Sequence, residues 1–267
     1  MNIQNRLTEE QAWRDADPGR ECLFVLLQEL AAKMRSARIV VNPGYGFLPD
    51  SYLLYLTGVT HVNPVEWDLP FSRFTRSVYD GAEIPFEAGT GCLEVARKVL
   101  SGRENEIVIE TDPGLFEITF LDGALLQNIK LRITTYAELD RFKRTFKAGW
   151  HPLDEATLGL FRRGTTDGAI FFESDKMREW LFDFQPESMS DLVLLNALYW
   201  PGRIQLFPEL LRRKLMGDYD EPFKDTYGIP VYQEQTGDPN FAPKGHFIGR
   251  TMMAVEALWR NSFKLKR

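Results

Sequence analysis

The chain has few of the residues that hold structural metals or disulfides, with two cysteines and three histidines among 267 residues. Cys22 and Cys92 lie far apart in apolar surroundings, without the short spacing of a zinc site, so we expect both to be reduced core residues. His61, His151 and His246 are equally scattered. We therefore predict no metal site built from cysteine or histidine.

Long apolar runs and an excess of positive charge are missing as well. No stretch of about 18 apolar residues occurs, and the polar N-terminus has no hydrophobic signal core, so neither a membrane span nor secretion is expected. The expected location is the cytoplasm. The net charge of −6 excludes a chain coated with basic residues, although a local basic face would still suffice to bind a phosphate backbone.

The composition that is present, 44% hydrophobic and 26% charged residues, suffices for one large core or two small ones. Apolar residues recur at three- and four-residue steps from Glu21 to Ser36, which predicts a buried helix. The predicted strands span residues 38–42, 106–110, 115–121 and 129–134. We predict an α+β fold, with a small mixed sheet between residues 38 and 134 and a mainly helical second half.

Further helices are predicted from local signals. Asp50 is expected to cap a helix that runs to Thr57, and Ser101-Gly102 ends a helical pattern that begins at Cys92. Residues 136–147 form a charged amphipathic pattern. The tail from Lys244 carries six cations and one carboxylate, which is typical of a solvated terminal helix and leaves phosphate binding as the alternative.

Three segments are expected along the chain. Residues 1–20 are polar and mixed in charge, which indicates a flexible lead-in or one exposed helix. Residues 21–147 contain the predicted sheet, and residues 148–267 contain most of the predicted helices.

The stretch from His151 to Gln235 contains the most distinctive motifs. They are LFRRGTTDGAIFFESDKM at 160–177, ALYWPG at 197–202 and TYGIPVYQEQ at 226–235. This ordered set resembles the thumb and fingers region of the alpha subunit of bacterial DNA polymerase III, the C-family replicative polymerase. The resemblance extends in family order over roughly residues 20–235. It implies a reduced palm-like domain at 21–147 and a thumb- and fingers-like domain at 148–267.

The resemblance implies DNA and other replication proteins as partners, and it places the nucleic-acid contacts in the second half of the chain. The residues expected to make them are Arg162, Arg163, Lys176, Arg178, Arg212, Arg213, Lys214, Gln233 and Gln235. Trp200 stands where the family usually has an arginine, so one cation that would seek phosphate is lost.

A strand, a glycine-rich turn and a helix are predicted in that order over NPGYGFLPDSYLLYLTGVTHVNP at 42–64. Such a turn most often serves structure alone, but it can also cradle a phosphate because backbone N–H groups approach it closely. The segment resembles the family's turn that contacts the triphosphate of the incoming nucleotide, which makes Gly44 and Gly46 candidate nucleotide-binding residues. The family's arginine and serine positions hold Tyr45 and Phe47. We therefore expect the turn without the cation and the hydroxyl.

Two-metal phosphoryl transfer needs carboxylates that hold two divalent ions about 4 Å apart. In the register that the resemblance suggests, the positions of the family's three catalytic aspartates hold Glu83, Pro85 and Thr119. Proline cannot ligate a metal, and one carboxylate in place of three predicts that two magnesium ions are not held. No cofactor is therefore expected, and Mg²⁺ would be needed only by a chain that keeps polymerase activity.

Three functions are compatible with these patterns. The leading hypothesis is a catalytically impaired relative of the polymerase that keeps a surface for nucleic acid or protein. An active DNA-directed DNA polymerase, a nucleotidyltransferase, would have to use displaced acids, for which Asp80, Glu87, Glu117 and Asp122 lie near in sequence. The third hypothesis, a structural interaction protein that binds no nucleic acid, follows from the acidic net charge.

Overall fold

The computed structural model describes residues 2–142, 153–217, 219, 223–238, 241 and 243–264. Residues 261–264 are described by their backbone only. The chain divides into two compact units, Met1–Trp150 and His151–Arg267. The first unit contains a four-stranded mixed sheet with helices, and helices dominate the described part of the second unit. The predicted α+β fold is confirmed.

The first unit contains five α-helices and four strands within its described residues. The helices are α1 (Ile3–Asp15), α2 (Pro18–Ser36), α3 (Tyr52–Leu56), α4 (Phe71–Tyr79) and α5 (Cys92–Leu100). The strands are β1 (Glu83–Ala88), β2 (Glu106–Asp112), β3 (Leu115–Phe120) and β4 (Asn128–Thr135). Two 3₁₀ turns add residues 48–50 and 137–141.

The strands lie in the order β1-β4-β3-β2. β2, β3 and β4 form an antiparallel meander, whereas β1 joins the free side of β4 in parallel. The predicted strand at 38–42 is reduced to one bridge between Val41 and Ala88, because Pro43 and Gly44 turn the chain away immediately afterwards. Three of the predicted strands are thus confirmed as β2, β3 and β4.

Helix α2 provides the main apolar face of the first unit. Asp17 begins the helix by accepting a hydrogen bond from the N–H of Arg20, and Pro18 occupies the first turn, where a missing N–H costs nothing. Its buried leucines share one core with the inner face of the sheet, including Ile84 and Leu131. The predicted helix at 21–36 is therefore confirmed and begins three residues earlier.

Residues 1–20 differ from the expected flexible lead-in or exposed helix. Helix α1 buries the charged side chains of Arg6 and Glu10 completely. Trp13 packs edge-on against Phe71 and Phe74, with ring centroids 5.7 and 5.9 Å apart. A polar sequence is buried here because its charges are paired with each other and with distant backbone groups.

The second unit contains six α-helices within its described residues. They are α6 (Glu155–Arg162), α7 (Asp175–Phe184), α8 (Met189–Leu198), α9 (Phe207–Met216), α10 (Gln233–Thr236) and α11 (Lys244–Lys264). α8 and α11 pack together, and the rings of Trp180 and Phe207 stack with centroids 4.1 Å apart. The C-terminal helix is not a solvated one, because Phe247, Ile248 and Met253 are fully buried.

Two predicted features extend beyond the described residues. Of the predicted helix at 136–147 only the 3₁₀ turn at 137–141 is described, and residues 143–147 lie outside the described part. His151, Lys266 and Arg267 also lie outside it. Among the described helices, none combines the length and the apolar character that crossing a membrane would require.

Candidate functional site

The glycine turn is held against strand β1 by its own hydrogen bonds. The side-chain amide of Asn42 donates to the carboxylate of Glu87 at 2.5 Å, and the backbone N–H of Asn42 donates to the Glu87 carbonyl at 2.9 Å. The side-chain oxygen of Asn42 accepts the N–H of Gly44 at 2.9 Å. One of the N–H groups expected to face a phosphate is therefore already used inside the turn.

Two residues of this turn, Phe47 and Gly46, pack closely against other parts of the first unit. Phe47 is buried, and its ring packs edge-on against Phe74 with centroids 5.8 Å apart. Gly46 has a left-handed backbone (φ +61°) and lies directly against the ring of Pro85. The backbone of the turn thus bends at Gly46, and the side chain of Phe47 packs into the core.

The start of helix α3, directly after this turn, is occupied by a carboxylate of the chain itself. Glu10 accepts hydrogen bonds from the backbone N–H groups of Tyr52 and Leu53 at 2.7 and 2.9 Å, and from the hydroxyl of Ser51 at 2.7 Å. Arg6 neutralises Glu10 in a buried ion pair and also donates to the carbonyls of Asp50 and Leu69. An internal anion therefore fills the place where a phosphate would be bound.

The predicted cap of this helix is corrected by one residue. Ser51, not Asp50, caps α3 by accepting the N–H of Leu54. The carboxylate of Asp50 instead accepts a hydrogen bond from Arg73. Sequence reasoning also missed Glu10, since no local pattern signals a contact with residues about forty positions away.

Glu83 and Pro85 lie on β1 with their side chains on the face of the sheet opposite the inner face, and Thr119 lies on β3. The intervening strand β4 separates the two sites, which places Thr119 about 10 Å from the line of β1. The hydroxyl of Thr119 donates to the side-chain oxygen of Asn128 at 2.7 Å. The three positions are therefore on one sheet but are not brought together.

Two cations on β4, Arg132 and Lys130, lie beside Glu83. Arg132 donates two hydrogen bonds to the carboxylate of Glu83, at 2.9 and 3.2 Å. Lys130 stands opposite Glu83 on one side and Glu117 on the other. The hydrogen bonds from Arg132 hold the pKa of Glu83 below its usual value, and Lys130 adds to this effect. Positive charge repels divalent cations, so this set of side chains does not suit two magnesium ions.

The displaced acids do not form an alternative site. Glu87 is buried against Asn42, Asp80 ends helix α4, and Asp122 lies in the exposed turn after β3. Among the residues that the structure describes, no group of three or more histidine, cysteine, aspartate or glutamate side chains is arranged to hold a metal ion.

Most of the predicted nucleic-acid contacts in the second unit have partners within the chain. Arg212 and Arg213 both donate hydrogen bonds to the carboxylate of Glu209. These bonds, of which the one from Arg212 has the largest effect, lower the pKa of Glu209 to about 2. Lys214 donates to the carbonyls of Phe184 and Gln185. Arg213 also donates to the carbonyl of Gly228, so Arg213 and Lys214 both hold backbone groups within the second unit.

Three of the predicted contacts on α6 and α7 pair with exposed carboxylates. Arg178 pairs with Asp167 at 2.7 Å, Lys176 pairs with Glu179 at 2.8 Å, and Arg162 pairs with Glu155 at 2.6 Å. Arg163 is exposed and has no hydrogen-bond or ion-pair partner within the described residues. We call the surface formed by Arg163, Gly164 and Arg178 the α6–α7 corner, since a Cβ on Gly164 would lie 3.2 Å from that of Arg178.

The two predicted glutamines have different environments. Gln235 accepts the N–H groups of Val231 and Tyr232 at 2.7 and 2.9 Å, and donates to the hydroxyl of Thr226 at 2.8 Å. Gln233 makes no such bond within the described residues. Gln235 therefore organises the TYGIPVYQEQ loop from within.

Two known domains match separate parts of this chain. Residues 136–238 match the bacterial DNA polymerase III alpha subunit finger domain. Residues 2–80 match the bacterial DNA polymerase III alpha NTPase domain. The chain belongs to the family of the bacterial DNA polymerase III alpha subunit.

Several curated relatives carry the name DNA polymerase III subunit alpha. The relative from Xylella fastidiosa (strain 9a5c) is 42% identical over 117 residues, which is 40% of this chain. The relative from Halalkalibacterium halodurans is 33% identical over 137 residues, or 46% of this chain. The matched segments are only 10% and 12% of these relatives' own lengths. The chain thus corresponds to a small part of the polymerase subunit.

The two matching domains leave residues 81–135 uncovered. This interval contains all four strands, and with them Glu83, Pro85 and Thr119. The three positions that the suggested register assigns to the catalytic aspartates therefore lie outside both matches.

Proposed function

We propose that this chain is a relative of the DNA polymerase III alpha subunit, of the DNA replication or repair type, that has lost nucleotide transfer and keeps a surface for nucleic acid. The observation that carries the proposal is the ion pair of Arg132 with Glu83, which is the one acid at the three candidate catalytic positions. Glu10 at the start of α3 supports it, because the nucleotide triphosphate would meet a buried carboxylate there.

The proposed nucleic-acid contact is the α6–α7 corner together with Lys176. An exposed ion pair contributes only about 0–1 kcal/mol, so exchanging its carboxylate for a phosphate costs little. Lys176 and Arg178 each pair with an exposed carboxylate, Arg178 also donates to the carbonyl of Glu173, and the side chain of Arg163 needs no exchange. Arg213 would have to leave the carbonyl of Gly228 as well as Glu209, which Arg212 also binds, and the largely buried Lys214 would have to leave two carbonyls. These two residues are therefore not assigned to DNA.

Loss of nucleotide transfer is tested by primer extension with the pure chain, primed DNA, deoxynucleotides and Mg²⁺, beside the alpha subunit of Bacillus subtilis as the active control. We expect no extension product and no heat of Mg²⁺ binding by calorimetry. Template-directed extension that Glu83→Gln abolishes would refute the proposal and would establish the alternative, an active polymerase with displaced acids.

DNA binding is tested by fluorescence anisotropy with primed DNA at several salt concentrations. Phosphate contacts release counterions, so we expect affinity to fall steeply with salt, and Arg178→Gln to reduce the slope of that dependence by about 1. Lys98→Gln removes an exposed, paired cation from the first unit and serves as the control. Affinity and slope should not change in this control variant.

A second function, a structural interaction protein that binds no nucleic acid, is favoured by one observation. Most cations in the second unit already face a carboxylate, and the chain is acidic as a whole. Absence of any DNA binding at low salt would support this function over the first.

A further inference from the structure

Strand β2 is an edge of the sheet in the first unit. One side of β2 pairs with β3, and no described strand pairs with its other side. The N–H of Leu121 donates to the carbonyl of Asn105 at 3.2 Å, so the backbone groups of Asn105 and of every second residue after it face β3. The backbone N–H and C=O groups of Glu106, Val108 and Glu110 therefore face the free side of β2.

The sequence of this strand reads the same in both directions. Residues 106–110 are Glu-Ile-Val-Ile-Glu with Val108 at the centre, and the pairing of β2 with β3 becomes irregular only after Glu110. Antiparallel strands run in opposite directions, so a second copy of β2 can be placed symmetrically about Val108. In that register Val108 lies opposite itself, and Glu106 lies opposite Glu110 of the second copy. Each residue that faces the free side then exchanges backbone hydrogen bonds with the residue opposite it.

Two isoleucines of β2 are exposed on the face of the sheet opposite the inner face. Ile107 and Ile109 are 51% and 55% exposed, and they lie opposite Thr119 and Glu117 of β3. The symmetric register about Val108 places Ile107 beside Ile109 of the second copy, and the symmetry repeats this pair. Cross-strand pairs of β-branched side chains stabilise a sheet. Pairing of two copies would therefore give both isoleucines an apolar neighbour on the free side of β2.

The acidic residues of β2 are compatible with this pairing. The carboxylate of Glu106 accepts a hydrogen bond from Arg103 at 2.6 Å, and that of Glu110 accepts two from Arg97, at 2.9 and 2.8 Å. Where Glu106 meets Glu110 of the second copy, each carboxylate therefore brings its own arginine. Edge strands are often kept apart by lysine or proline, and residues 106–112 contain neither.

We propose that two copies of this chain associate through β2, antiparallel about Val108, and form one continuous sheet. A second copy fits this edge better than another protein, because the side chains and the outward backbone groups are both symmetric about the same residue. The contact is one pair of strands, which is smaller than a standard interface, so we expect a dimer that forms at micromolar concentrations. The proposal does not depend on nucleic-acid binding, since no residue of the α6–α7 corner takes part.

Sedimentation velocity of the whole chain across micromolar concentrations tests the association. We expect the average sedimentation coefficient to rise with concentration from that of a monomer to that of a dimer. Ile107→Lys changes the interface twice by symmetry and should weaken the dimer at least about tenfold. Leu56→Lys is the matched control, since Leu56 is 53% exposed on α3 of the same unit, and it should dimerise like the native chain. Circular dichroism melts check that each variant is folded, and Ile109→Lys replaces Ile107→Lys if the latter is not.

A cysteine at the centre of the symmetric sequence tests the register. Residues of a hydrogen-bonded antiparallel pair lie about 5.5 Å apart at their Cα atoms, within the range that a disulfide spans. Val108→Cys should therefore form a covalent dimer under mild oxidation. The native chain, which contains the free cysteines Cys22 and Cys92, and the variant Leu56→Cys should not.

Three outcomes would contradict the proposal. A chain that stays monomeric at the highest concentration would overturn the second copy as the occupant of this edge. A dimer that Ile107→Lys leaves intact would use another surface and would overturn the role of β2. A dimer that Ile107→Lys removes, without a covalent dimer of Val108→Cys, would overturn the register about Val108.

Discussion

Gly46 and Pro85 touch so closely that a Cβ added to Gly46 would lie 2.2 Å from the Cγ of Pro85. The glycine turn is thereby packed onto β1 at Pro85. The ring of Pro85 therefore supports the turn that follows Asn42.

Gly46→Ala should destabilise the first unit by about 2–5 kcal/mol. A left-handed alanine costs about 1–2 kcal/mol, and overpacking against Pro85 adds about 1–3 kcal/mol. Gly81→Ala is the matched control, since Gly81 has φ +70° but nothing lies within 4 Å of the added Cβ. Urea unfolding of both variants should show a clearly larger loss for Gly46→Ala, and equal losses would mean that the Pro85 contact contributes nothing.

Glu10→Gln should destabilise the first unit by about 3–5 kcal/mol. The change leaves Arg6 charged and buried without its partner, and it weakens the bonds at the start of α3. Glu94→Gln breaks an exposed pair with Lys98 and should cost less than about 1 kcal/mol. Thermal melts of the two variants check this, and a loss for Glu10→Gln as small as the control would show that the buried pair is dispensable.

Asp17 predicts a specific loss of stability in acid. Burial would raise the pKa of Asp17, but the backbone N–H groups of Leu125, Ala124, Leu126 and Arg20 outweigh it and hold the pKa below its ordinary value. Because the folded pKa is below the unfolded one, the stabilisation is complete above about pH 4 and is lost as pH falls through the folded pKa.

The comparison for this prediction is Asp17→Asn, which still caps α2 but cannot titrate. Urea unfolding between pH 6 and pH 2 should show the native chain more stable than the variant at the upper end, with a difference that shrinks in acid. A difference that stays constant over this range would contradict the assignment of the lowered pKa.

Gln235→Met should destabilise the second unit by about 2 kcal/mol or more, since the N–H groups of Val231 and Tyr232 lose their acceptor. Gln233→Met, two residues away on α10, should change stability by less than about 0.5 kcal/mol. In both folded variants DNA affinity should equal that of the native chain. If folded Gln235→Met bound DNA more weakly without a loss of stability, Gln235 would be a nucleic-acid contact.

The helices and strands that the sequence predicts best are those whose ends are set by residues next to them in the chain. Helix α5 runs from Cys92 to Leu100, as its local pattern predicts, because Gly91 before it and Ser101-Gly102 after it stop the helix. The strands of the meander alternate in burial and are separated by short turns, so each needs only its sequence neighbours.

The features that sequence missed depend on distant contacts. Arg6 and Glu10 look solvated until residues 50–53 are brought against them. The ion pair of Glu83 with Arg132 arises only because β1 joins β4 in parallel, which no local pattern indicates. The catalytic positions that motif comparison suggests stay a prediction, and the charges around Glu83 could be found only from the fold.

Strand β1 lies at an edge of the sheet, where unpaired N–H groups invite another chain to add a strand. Near its end the segment around Val41 already covers this edge, and at Pro85 there is no N–H to offer. Pro85 and the segment around Val41 thus shield this side of the sheet from self-association, so growth into larger aggregates would have to begin at the opposite edge, on β2.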